Sequence, residues 1–148
     1  MEYFNEINSL EYLFLVDLKN LPANRLSIVV KEATISEQKK DMIIGGKNLG
    51  AVNRILSNGP GKEYELFFEN YGAYLITNES FATFIKDDKV IGRLFCIYST
   101  SHYMDYICEN SLVNYTYDYE NALKHYRINC QDHVIDIIAK DEPIIKRT

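Results

Sequence analysis

From Glu63 to Glu69 polar and apolar positions alternate. Glu63, Glu65, Phe67 and Glu69 fall on one face of an extended segment, and Tyr64, Leu66 and Phe68 on the other. A period of two sends successive side chains to opposite faces, so this stretch predicts a half-buried strand. Asn70-Tyr71-Gly72 then reads as a hairpin connection and Ala73 to Asn78 as the returning partner strand. Further strands are expected over Glu11 to Leu18, Arg25 to Ile35, Val52 to Leu56, Gly92 to Ser99, Lys124 to Cys130 and His133 to Ala139. In the second of these Leu26, Ile28 and Val30 share a side, and the last two flank Gln131-Asp132 as a short hairpin. Asn20 to Asn24, Ser57 to Gly61 and Asp87 to Lys89 carry turn residues, and Pro143 marks the end of regular structure.

One segment keeps helical spacing. Tyr103, Tyr106, Ile107 and Asn110 recur at intervals of three and four, Thr100 or Ser101 offers a capping hydroxyl, and Asp105 favours the positive end of the helix dipole. The pattern therefore predicts an α+β chain: a curved, largely antiparallel β-sheet with one principal α-helix, in a single domain spanning residues 1–148. At 148 residues such a domain can build a core without metal or disulfides.

Charge narrows the partners. Sixteen cations against 21 anions leave a net charge of −5, which argues against nucleic acid and anionic membrane and permits a basic partner. No apolar run is long enough to span a bilayer, and Met1 to Glu6 carries acids where a secretory signal carries Lys or Arg. A cytoplasmic location is expected, with Cys96, Cys108 and Cys130 as reduced thiols.

The acidity is uneven. Between Leu94 and Leu123 there is no Lys or Arg, while Asp105, Glu109, Asp118 and Glu120 are interleaved with six of the twelve tyrosines. Tyrosine offers a stiff contact area with a polar tip, and acids around it steer a basic protein. Tyr98, Tyr103 and Tyr106 can instead pack the helix on the sheet. Tyr115, Tyr117, Asp118, Tyr119 and Glu120, in a loop-like run, are the interface candidates. Glu65 and Glu69 join them as a cation- or protein-binding strand face, the alternative being a solvated one.

Cys108, His125, Cys130 and His133 include thiols and imidazoles that suit zinc, but no Cys-x-x-Cys knuckle frames them. His125, Cys130 and His133 could also serve a small metal-dependent or Cys/His enzyme, with Cys130 and His133 facing each other across the hairpin. Gly45 to Gly50 lacks the Gly-Lys-Ser/Thr ending of a phosphate loop and reads as a flexible hairpin or bulge. A ligand-binding or scaffold domain is a third possibility.

Several strings together carry a resemblance: Asn78-Glu79-Ser80-Phe81, Gly92-Arg93-Leu94-Phe95-Cys96-Ile97-Tyr98-Ser99, Lys124-His125-Tyr126, Asp132-His133-Val134-Ile135-Asp136-Ile137-Ile138 and Glu142-Pro143. Over roughly residues 64–143 the chain resembles small bacterial immunity proteins, which are encoded beside polymorphic or contact-dependent toxins. The resemblance implies a cytoplasmic inhibitor that binds the toxin domain of its own lineage, often a nuclease with a basic active-site surface. It implies neither cofactor nor catalysis. Exposed strand edges also allow a homodimer.

Overall fold

The computed structural model describes residues 1–116 and 123–148. Its strands form three antiparallel sheets where the alternation had suggested one. The four-stranded sheet holds β1 (Leu13–Leu21), β2 (Arg25–Glu32), β5 (Glu63–Phe68) and β11 (Ile144–Arg147), in the order β1-β2-β5-β11. The five-stranded sheet runs β6-β10-β9-β8-β7, from β6 (Tyr71–Asn78), β7 (Lys89–Ile91), β8 (Phe95–Thr100), β9 (Lys124–Asn129) and β10 (His133–Ala139). The third sheet is a hairpin, β3 (Thr34–Ile44) with β4 (Lys47–Leu56). Helices are short: α1 (Phe4–Ser9), α2 (His102–Asn110) and α3 (Val113–Thr116). Among the described residues no helix is long and apolar enough to cross a membrane.

The two larger sheets share one core. Leu26, Ile28 and Val30 of β2 and Tyr64, Leu66 and Phe68 of β5 point inward, as their alternation requires. They meet Tyr126 and Ile128 of β9 and Ile135 and Ile137 of β10, with Phe68 and Tyr126 ring centroids 5.5 Å apart across the gap. Two stacked sheets bury both sets of inward side chains, which a single sheet cannot do. Glu6 of α1 ties the edge of this arrangement. Its carboxylate accepts hydrogen bonds from Lys62, Tyr64 and Arg147, which hold its pKa down to about 2.

Several sequence expectations are corrected. The strand expected over Arg25 to Ile35 stops at Glu32, and Thr34 begins β3. The strand after Asn70 does not return beside β5. It crosses to the other sheet and pairs with β10, because β2 and β11 already occupy both edges of β5. Regular structure resumes after Pro143: Ile145 enters the core as β11 pairs with β5. The glycine segment does form a hairpin, but one extended on both sides into strands of 11 and 10 residues. The β9–β10 hairpin lies where the sequence placed it.

Candidate functional site

Alternation along β8, β9 and β10 sends a second set of side chains to the outer face of the five-stranded sheet. Tyr98, His125, Arg127 and Asp136 lie there, brought together by the pairing of Asp136 with Arg127 and of Tyr98 with His125. Two covers sit on this face: α2, and the strap from Glu79 to Asp88, which opens with a 3-10 turn at Glu79–Phe81.

A chain of polar contacts fastens both covers. Ser101 caps α2, its Oγ accepting from the Met104 amide at 3.1 Å. The same hydroxyl sits 2.6 Å from His125 Nδ1, and His125 Nε2 sits 2.7 Å from Asp136 Oδ1. One assignment satisfies every atom: Ser101 donates to Nδ1, and Nε2–H donates to the carboxylate. Arg127 donates to both Asp136 oxygens, at 2.6 and 3.1 Å, and to the Thr83 carbonyl on the strap. Its guanidinium lies between the rings of Phe84 and Tyr98. Tyr98 stacks on His125 at 4.2 Å and Tyr103 meets it edge-on. Burial pushes the Asp136 carboxyl upward, but the bonds from His125 and Arg127 outweigh it and leave the pKa lowered.

Ser101, His125 and Asp136 are the residue types of a hydrolytic triad, but the arrangement cannot serve as one. Ser101 and His125 are 2% and 1% exposed, and the hydroxyl is committed to capping α2. The adjoining cleft, lined by Thr77, Phe81, Tyr103, His125 and Arg127, holds about 220 Å³. That is below the range of roughly 300–1,000 Å³ usual for ligand sites. The network is an anchor for α2 and the strap.

The surface it anchors is acidic and aromatic. Tyr106 on α2 is 59% exposed, Leu112 75% and Tyr115 on α3 87%. Asp105 and Glu109 are exposed on α2. Val113 is buried against Gly72 of β6, which seats α3 on the same side of the molecule. Tyr98 and Tyr103 are packing residues, whereas Tyr106 joins Tyr115 outside. Tyr117, Asp118, Tyr119 and Glu120 lie outside the described residues. Glu65 does not belong to this patch. It faces outward from the other sheet, where it accepts a hydrogen bond from Ser27 Oγ at 2.7 Å, and Glu69 is exposed just beyond β5.

The Cys/His candidates are not assembled. His125 is held on the outer face by Ser101 and Asp136, while Cys130 sits in the intersheet core, and Cys108 is buried on α2. His133 meets Cys130 only through the backbone, its carbonyl accepting from the Cys130 amide. Among the described residues no three His, Cys, Asp or Glu side chains converge to hold a metal. Burial pushes the Cys96 thiol up to about 11 and Cys130 up to about 12, the opposite of what an activated nucleophile needs. Neither thiol should react appreciably with iodoacetamide at neutral pH until the protein unfolds. Fast labelling of Cys96 or Cys130 in the native state would contradict this burial.

The sequence carried one unread signal for the anchor: Asp136 is a lone acid inside the apolar run Val134 to Ile138. A buried carboxylate requires partners, and the hairpin register supplies Arg127 opposite it. Comparison with known proteins gives no relative: no family model, curated protein or solved structure matches the chain.

Proposed function

We propose that this protein is an immunity-type inhibitor that binds a basic toxin domain in the cytoplasm and blocks it through the α2–α3 surface. The observation that carries the reading is the exposure of Tyr106, Leu112 and Tyr115 beside Asp105 and Glu109, in a stretch from Leu94 to Leu123 without a single Lys or Arg. Exposed aromatic groups supply contact area, and the unneutralised acids supply long-range attraction. In this reading α2 is the principal helix of an α+β domain, and the Ser101–His125 contact fixes its orientation before the partner arrives. The acidic run through Asp118 and Glu120 extends the same surface in sequence. The resemblance of roughly residues 64–143 to immunity proteins points to the toxin as the partner class.

The test is co-expression with the toxin encoded beside this gene. Cells carrying both should survive, and the purified pair should bind with an affinity that falls as salt rises. Asp105→Lys with Glu109→Lys should slow association about tenfold at low salt. Tyr106→Ala and Tyr115→Ala should each raise Kd on the order of tenfold or more, mainly through faster dissociation. Failure of the wild-type protein to protect cells against the adjacent toxin would end this reading.

A further inference from the structure

The β3–β4 hairpin stands away from the rest of the molecule. Every residue from Glu37 to Ala51 is exposed, including Ile43 at 66%, Ile44 at 61% and Leu49 at 55%. Two-stranded hairpins are marginal in water on their own, and this one carries large aliphatic groups to its tip. The cross-strand register, with its bulge between Asp41 and Ile43, puts Ile44 and Lys47 on one face with Lys40 and Val52, and Ile35, Ile43 and Ile55 on the other with Lys39. Asp41 lies on the face of Ile35 and Lys39, away from Ile44 and Lys47.

Charge selects among possible occupants. Residues 34–56 carry four cations (Lys39, Lys40, Lys47 and Arg54) against Glu37 and Asp41. The remainder of the chain carries 12 cations against 19 anions. The arm is therefore attracted to a body like its own, and the basic toxin domain of the proposed function is the wrong sign for it.

The body offers a surface of the matching kind. The outer face of the four-stranded sheet presents Phe14, Val16, Val29, Phe67 and Ile144, with Val16 52% and Ile144 48% exposed. Asp17, Glu63, Glu65 and Glu69 surround these groups together with Lys19, Lys31 and Lys146, and Lys19 is paired with Asp17. Such a face accepts a flat ribbon as a further β layer.

We propose that the β3–β4 arm of one copy lies across the outer face of the four-stranded sheet of a second copy, with the second arm returning the contact. The reach fits. Eleven residues of β3 span about 35 Å, close to the diameter of roughly 36 Å expected for the remaining body. A ribbon about 10 Å wide over that length, counted on both partners and for both arms, buries on the order of 1,400 Å², within the range of specific interfaces. Exchange of identical contacts about a twofold axis closes the assembly.

Sedimentation of the full chain tests this. The wild-type protein should pass from monomer to dimer as concentration rises to about 100 μM, with dissociation favoured by salt. Ile44→Asp with Leu49→Asp on the arm, and separately Val16→Asp on the receiving face, should each weaken the dimer at least about tenfold. All three positions are exposed, so the monomer should keep its circular dichroism and melting temperature. Mixing the arm variant with the face variant should restore part of the dimer, because one intact arm then meets one intact face. A monomer throughout the range, or a dimer indifferent to either variant, would overturn the proposal. So would a monomer whose arm binds the toxin, duplex DNA or anionic vesicles. Toxin neutralisation measured on the same variants separates this outcome from the inhibitor reading, since α2 and α3 are unchanged in all of them.

Discussion

Replacing Asp136 by Asn should cost about 3–5 kcal/mol, which is the usual consequence of removing one member of a buried ion pair. Asp136 is 3% exposed and receives bonds from His125 and from two nitrogens of Arg127. An amide there has one acceptor oxygen instead of two and no charge, so the guanidinium is left buried without a counter-ion. For a domain of this size the loss corresponds to a fall in Tm on the order of 10 °C. Urea unfolding should show a lower midpoint with an unchanged slope. Combining Asp136→Leu with Arg127→Met should recover part of the loss, since the buried cation leaves with its partner. Recovery stays incomplete because His125 Nε2 loses its acceptor. The pH dependence follows from the lowered Asp136 pKa. A carboxylate held below its unfolded value contributes its full stability above about pH 4 and loses it as pH falls through the folded pKa. The wild-type protein should therefore lose this contribution only in acid, and the Asn variant should lack that part of the acid slope. A cost under about 1 kcal/mol would show that the network does not hold α2 and the strap in place.

Gly92→Ala should be comparably damaging for a different reason. Gly92 joins β7 to β8 with φ at +92°, a region that L side chains avoid. An added methyl would lie 2.1 Å from the Phe95 carbonyl oxygen and 3.1 Å from Phe4 Cζ. The first obstacle is backbone and the second belongs to the helix that closes the core edge, so neither yields cheaply. The expected loss is on the order of 3 kcal/mol, combining strain with a displaced strand. Amide exchange should quicken first in β7 and β8. A variant with wild-type stability would mean that the turn can rearrange without disturbing either strand.

What the sequence disclosed follows the range of the interactions involved. The β9–β10 hairpin and the Ser101 cap were legible because each depends on residues close together in the chain. Strand faces were legible too: Leu26, Ile28 and Val30 are all fully buried. Strand edges were not. Alternation says which side a residue faces and nothing about which strand lies beside it, so the crossing from β5 to β6 could not be read. Pro143 looked like an ending because proline breaks a ladder, yet the chain resumes one residue later to pair with β5. At the candidate site the exposure of Tyr115 was expected from its polar surroundings. Glu65 was grouped with it from the sequence, whereas in the fold Glu65 faces outward from the four-stranded sheet and Tyr115 lies on α3. The anchor combines residues 11 and 24 positions apart, and only the assembled sheet brings them within hydrogen-bonding distance.

The pairing of β11 with β5 bears on how the chain is made. The four-stranded sheet draws its first strand from residues 13–21 and its last from residues 144–147, and Arg147 reaches back 141 positions to Glu6. During synthesis the β1–β2 hairpin can form early, but β5 must wait with one edge open until the segment beyond Pro143 has emerged. Closing so long a loop delays the final step of folding. The nascent chain thus presents an open strand edge from the synthesis of β5 until β11 follows, a period in which chaperone binding would protect it from joining the wrong neighbour.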